Sequence, residues 1–197
     1  QWPLGDLGVY TAQVDFARAG NWGLEAVVTL TGGSTMRARG AFVVMKKSST
    51  PAIGVPAPRS ANKTARDVDG LEELTTGSLM DPDLYQSTIA TAAASGLPTV
   101  VVFASPAFCI NEVCGPQVEV LQQIKDLYKG QANFIHVDLY DNPHEIQGDL
   151  AQARISPVVD EWGLPSIEWT FVVDQQGIIS ARLEAFATFD EVEKALL

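Results

Sequence analysis

Two cysteines, two histidines and three methionines are all that this 197-residue chain has of those residue types. So little cysteine excludes a disulfide-stapled mini-domain, and 46% hydrophobic residues suffice for an ordinary buried core. No run approaches the roughly 18 consecutive apolar residues of a membrane-spanning helix. Residues 1–20 lack the basic head and apolar run of a signal peptide, and the abrupt start at Gln1-Trp2-Pro3 reads as processing or truncation. Basic residues are also scarce, 13 against 24 acids, for a net charge of −11. The imbalance is uneven: residues 1–66 carry +5 and residues 67–197 carry −16. A surface so acidic excludes nucleic acid as partner of the larger part, because phosphate binding needs a cationic face. The acid excess serves solubility, with attraction to a basic partner as its other use. Repeats, phosphate-cradling glycine loops and Ser-His-Asp or two-carboxylate arrangements are absent.

What is present is a concentration of chemistry at one place. The apolar run Pro98-Thr-Val-Val-Val-Phe103 reads as a buried strand. After Ala104-Ser-Pro-Ala-Phe108 come Cys109-Ile-Asn-Glu-Val-Cys114 and Gly115-Pro116, with helical spacing beyond. Such a pair can close a disulfide, exchange one with a partner, or grip a soft metal. Closure would stabilise the fold by about 2 kcal/mol on the loop-entropy model. A bridge this short suits exchange better than stapling. Free amides at the helix start favour a Cys114 thiolate, while the charge of Glu112 opposes it.

The surrounding pattern divides the chain. Residues 1–46 read as three strands, Val9–Phe16, Trp22–Leu30 and Met36–Met45, with turns at Ala17–Asn21 and Thr31–Ser34; they form a partial antiparallel β-sandwich. Residues 47–80, with Pro51, Pro56 and Pro58 close together, form an extended linker or strap. Residues 81–197 begin with a helix whose start is Asp81-Pro82 and which runs from Leu84 to Ser95. The strand at Val100–Phe103 follows, then a helix over Pro116–Lys129 through Val118, Leu121, Ile124 and Leu127. A strand over Asn133–Leu139 comes next. Asp149–Trp162 is partly helical and interrupted around Pro157. A hairpin of Trp169–Asp174 and Ile178–Glu184 turns at Gln175-Gln176-Gly177, and a helix closes the chain from Asp190 to Leu197. This order gives an α/β sheet with helices on both faces.

These residues resemble a thioredoxin-like domain: Pro98–Phe103, the loop to the cysteine pair, Cys114-Gly-Pro116, Phe134-Ile-His-Val-Asp138 and Phe171-Val-Val-Asp-Gln-Gln-Gly177. The closest branch is the extracytoplasmic one with TlpA-type and Sco-type proteins, whose entry segment Ile53-Gly-Val-Pro-Ala-Pro58 is similar to. Residues 10–24 are similar to an immunoglobulin-like module of the FixH or YtkA type. The resemblance implies a thioredoxin-like fold with a central mixed sheet, an extracytoplasmic location, and thiol–disulfide exchange with a protein partner. In it Cys109 attacks and Cys114 resolves. It also admits membrane anchoring through a missing N-terminal portion. Three positions depart from the family's pattern. Four residues separate the cysteines instead of two, and Gln117 stands where a second cysteine would follow Cys114. The place of the cis-proline falls on Glu168 or Trp169, with Pro165 nearest. Ser166 occupies the place of the Sco-type copper histidine.

Two other functions therefore stand beside exchange. One is a non-enzymatic subunit of a cell-envelope assembly with an inert disulfide. The other is a Sco-like copper chaperone binding Cu(I) at Cys109 and Cys114, for which the sequence offers no third ligand. His136 is expected to be a hydrogen-bonded strand residue, with Phe134 and Asp138 on its face, and His144 an exposed loop residue. Met36, Met45 and Met80 are expected in the core, as are Trp162, Trp169, Phe108 and Phe186, whose other use would be to line a partner groove near the cysteines. Asp138 and Asp174 are expected to serve turns.

Overall fold

A computed structural model describes residues 14–78, 80–108 and 114–197. The chain forms two compact units that divide between Ser48 and Ser49.

In the first unit, β1 (Gly20–Thr29) and β2 (Thr35–Val44) pair antiparallel, Trp22 opposite Phe42 and Val28 opposite Met36. Alternation gives this ribbon two unlike faces. Trp22, Leu24 and Val28 share one face with Phe42 and Met36, and Phe16 sets its ring edge-on to Trp22 and Phe42 at 5.2 and 5.3 Å. On the other face Glu25 is bridged by Arg37 at 3.1 Å and Arg39 at 2.8 Å. The turn uses Gly32 and Gly33 at φ 113° and 85°, where a side chain is disfavoured. Of the third expected strand, Val14–Phe16 is not β structure and the rest lies outside the described residues. A two-stranded ribbon, not a sandwich, is what the described residues of this unit form.

The second unit is built on a four-stranded mixed sheet of order β4-β3-β5-β6. Strand β3 (Thr99–Phe103) lies parallel to β4 (Asn133–Val137) and antiparallel to β5 (Trp169–Val173), which pairs antiparallel with β6 (Ile179–Glu184). Every residue of β3 is buried, as a run of valines between two helical layers requires. Among the described residues five α-helices accompany the sheet: α1 (Ile89–Ala93), α2 (Cys114–Leu127), α3 (Pro143–Ile146), α4 (Pro157–Glu161) and α5 (Phe189–Leu196). Val100, Val102 and Val172 pack on Val118, Leu121 and Ile124 of α2 and on Val192 of α5. Val101, Phe103 and Phe171 pack on Ile89 of α1 and on Val158 and Trp162 of the α4 region. The α/β sheet with helices on both faces is thus present.

Some elements differ from expectation for identifiable reasons. The helix expected over Leu84–Ser95 is a 3₁₀ turn, Pro82–Tyr85, followed by α1. Leu84 and Tyr85 bury on the α2 face and Ile89 and Ala92 on the opposite face, so the chain crosses between layers where one straight helix could not. Thr88 restarts the helix by accepting the Thr91 amide at 3.1 Å. Pro157 does not interrupt a helix; it opens α4, where its missing N–H costs nothing. Leu127, expected on the buried stripe of α2, is exposed.

Residues 51–58 are bonded to the β5–β6 turn. Gly54 donates to Ile179 O at 2.8 Å, Ile179 donates to Val55 O at 2.9 Å, and Ala57 donates to Gly177 O at 2.9 Å. The prolines fall where no amide is needed. Further along, Ser60 accepts the Trp162 indole N–H at 2.9 Å and Asn62 accepts the Ile89 amide at 2.7 Å.

Candidate redox site at the start of helix α2

Strand β3 ends at Phe103 and the chain turns through a single 3₁₀ turn, Pro106–Phe108, where the Phe108 amide donates to Ser105 O at 3.1 Å. Cys109 and Glu112 follow in sequence and lie outside the described residues. Cys114 is the first residue of the 14-residue helix α2, fully buried against Val102 and Ala104, and it is disulfide-bonded. Sequence spacing placed the helix start two residues later, at Pro116. The earlier start sets Cys114 itself in the first turn, where backbone amides lack intrahelical partners.

A buried polar network supports the loop that leads to Cys109. His136 on β4 is buried; its Nε2–H donates to Ala104 O at 3.0 Å and its Nδ1 accepts the Tyr85 hydroxyl at 2.7 Å. A carbonyl can only accept, which puts a proton on Nε2, and burial keeps the ring neutral, which leaves Nδ1 to accept. Burial pushes the imidazole below its ordinary value, against the opposing pull of Asp138. The Tyr85 phenol is raised by burial. Asp138, one residue past β4, is buried as well. Its Oδ2 accepts the Thr76 amide at 2.7 Å and the Thr76 hydroxyl at 2.9 Å, and its Oδ1 accepts the Tyr140 amide at 3.1 Å. Burial raises this carboxyl above the ordinary range, while the His136 imidazole and these hydrogen bonds pull it down.

The reading of His136 as a hydrogen-bonded strand residue holds, and Phe134 shares its face while Ile135 and Val137 pack on the other. Asp174 serves its turn, accepting the Gln176 and Ile178 amides at 2.9 Å. Asp138 does more than serve a turn, since Thr76 reaches it from another segment. His144 lies in α3 and not in a loop, with 38% of its side chain exposed. Trp162 and Trp169 fill the core; Phe108 is half-buried with its ring edge-on to Tyr140 at 5.9 Å, and half-buried Phe186 packs beside the α2-face core. Met36, Met45 and Met80 are exposed by 61%, 69% and 41%, which overturns their expected core role. Met36 lies on the ribbon and Met45 just past its end.

The two positions at which the resemblance would put a cis-proline are Trp169, the first residue of β5, and Glu168 just before it, 2% exposed. The Glu168 carbonyl accepts the Ala185 amide at 3.0 Å, and Ala185 holds φ 62°. No cis peptide bond occurs among the described residues. Gln117, in the place of a second cysteine, is buried and accepts the Ala187 amide on Oε1 at 2.7 Å. Ser166 donates to Glu184 at 2.7 Å and accepts the Trp169 indole N–H at 2.8 Å. Among the described residues no cluster of three or more His, Cys, Asp or Glu could hold a metal ion. A groove of about 290 Å³ runs beside the start of α2, lined by Thr76, Gly77, Pro106, Ala107, Gly115 and Val118 among others. Thr76, Tyr85 and Ser105 were not anticipated from sequence; isolated hydroxyls carry no spacing signal.

No family model matches the chain, and no curated protein matches it. Among solved structures, StoA from Bacillus subtilis is similar over 51% of this chain and 82% of that one, with 14% identity and a TM-score of 0.40. No helix among the described residues is long and apolar enough to cross a membrane.

Proposed function

We propose that the second unit is an extracytoplasmic, thioredoxin-like domain that exchanges thiols and disulfides with a protein partner through Cys109 and Cys114. One observation carries the reading: Cys114 is disulfide-bonded in the first turn of α2, directly after the central strand β3 and its loop. A partner thiolate attacks the Cys109 sulfur, since Cys114 is fully buried. The Cys109–Cys114 bond breaks and its electron pair stays on Cys114, where the helix start favours a thiolate and burial opposes it. A second partner thiolate then attacks the partner's own sulfur in the mixed disulfide and releases Cys109. The partner is oxidised by two electrons and the chain reduced by two; the reverse sequence reduces a partner disulfide. A disulfide also fits an oxidising compartment outside the cytoplasm.

The complete burial of Cys114 favours a second reading, an inert bridge in an interaction subunit of an envelope assembly. Equilibration in thiol buffers with a mass readout separates the two. A potential above roughly −250 mV supports exchange, and one below about −300 mV supports the inert bridge. Cys109→Ser and Cys114→Ser should each abolish turnover of a dithiol substrate while leaving the fold intact; full activity in both variants would reject the exchange reading.

A further inference from the structure

Building on that exchange reading, we propose that Asp138 is a positioning residue for the cysteine pair, acting through Thr76 and Tyr140 on the segment Ser105–Phe108. The Thr76 hydroxyl gives its one proton to Asp138 Oδ2. Its oxygen is then left to accept, and two groups of the loop converge on it: the Ser105 hydroxyl at 3.1 Å and the Ala107 amide at 3.2 Å. Because Oδ2 also accepts the Thr76 amide, the carboxylate fixes Thr76 by backbone and side chain together. Oδ1 fixes the Tyr140 amide, and the Tyr140 ring meets Phe108 edge-on at 5.9 Å with an interplanar angle of 86°. One buried carboxylate thus organises two grips on the four residues that immediately precede Cys109. Removing the Thr76 hydroxyl takes from the Ala107 amide and the Ser105 hydroxyl the atom on which they converge, leaving the exposed amide to water and the buried Ser105 hydroxyl without this bond. The same threonine borders the groove beside α2, which joins the grip to the surface a partner would use.

Thr76→Val keeps the shape and removes the hydroxyl; Thr76→Ser keeps the hydroxyl. Two quantities are read on the full chain: hydrogen exchange of the Ala107 amide by NMR, and the equilibrium constant of the cysteine pair with glutathione. In Thr76→Val both should move by about fivefold or more, the size of one lost hydrogen bond, while Thr76→Ser stays near wild type. An unchanged equilibrium constant in folded Thr76→Val overturns the positioning role, even if Ala107 exchanges faster, because the grip would then hold a loop without reaching the cysteines. A wild-type pair that never equilibrates with glutathione is a different result: it removes the exchange reading and this role with it. Asp138→Asn keeps one acceptor oxygen, so its NH2 must face either the Thr76 donors or the Tyr140 amide and loosen one of the two grips; the equilibrium constant should then move in the same direction as in Thr76→Val, and a wild-type constant in a folded Asp138→Asn would also overturn the proposal.

Discussion

At the scale of single residues, the buried pair His136 and Asp138 makes stability depend on pH in two opposing senses. Burial depresses the His136 pKa, so the unfolded chain takes up a proton below about pH 6.5 that the folded chain resists. That contribution is complete above about pH 6.5 and is lost as the pH falls. The Asp138 pKa is raised, so its contribution is complete below about pH 3.9 and is lost as the pH rises. Comparing wild type with His136→Gln by urea unfolding at about pH 7.5 and 5.5 isolates the histidine. Wild type should lose more stability than the variant over that interval, and equal losses would reject the assignment. Gly163 offers a simpler case. It holds φ 56°, and a Cβ there would lie 2.5 Å from the Ser49 carbonyl oxygen. Gly163→Ala should cost about 1 kcal/mol or more in chemical denaturation, through strain and steric overlap together. The hydrogen-bonded role of His136 was legible because a histidine among alternating apolar residues must satisfy its nitrogens when buried. The link from Asp138 to Thr76 was not, since it spans 62 residues and neither side chain belongs to a motif.

At the scale of elements, periodicity located the strands and the ends of the chain well. Strands β3, β5 and β6 and helix α5 fall within a residue or so of where alternation, the Gln175-Gln176-Gly177 turn and the terminal apolar spacing put them. Helix α5 begins with a reciprocal cap: Thr188 accepts the Glu191 amide at 3.3 Å while Glu191 accepts the Thr188 amide at 2.9 Å. Thr188→Ala should lower the unfolding free energy by about 1 kcal/mol, with Thr188→Ser nearly neutral; an unaffected midpoint in the alanine variant would mean that α5 frays without consequence. Local pattern failed where tertiary position decides. Leu84–Ser95 has helical spacing throughout, yet its two halves serve opposite faces of the sheet and a break at Thr88 lets them. Pro157 illustrates the ambiguity of proline, which stops one helix and starts another with the same missing amide.

At the scale of the whole molecule, the α/β architecture was readable because strand–helix–strand followed by a hairpin and a helix leaves few ways to cover a sheet. Cys114 falls at a handover from buried strand to helix in sequence and in structure alike, although the helix takes in Cys114 itself. The ribbon was harder, because alternation is visible in two strands while a third lies mostly outside the described residues. Residues 49–197 contain both core clusters and all the bonds of residues 51–58 to the β5–β6 turn. Expressed alone, residues 49–197 should fold and unfold cooperatively with a midpoint close to that of the corresponding transition in the full chain. A non-cooperative melt would show that the ribbon is needed for its stability.

The bonds from Gly54, Val55 and Ala57 to Gly177 and Ile179 have a consequence for handling and for the cell. Strand β6 ends the sheet, and an uncovered terminal strand is a template on which a second molecule can add its own backbone. The proline-rich segment occupies the first part of that template and cannot itself extend it, because proline lacks the amide that a further strand would need. Nicking the chain within residues 51–58 would therefore leave the core standing and appear first as self-association, before any loss of secondary structure.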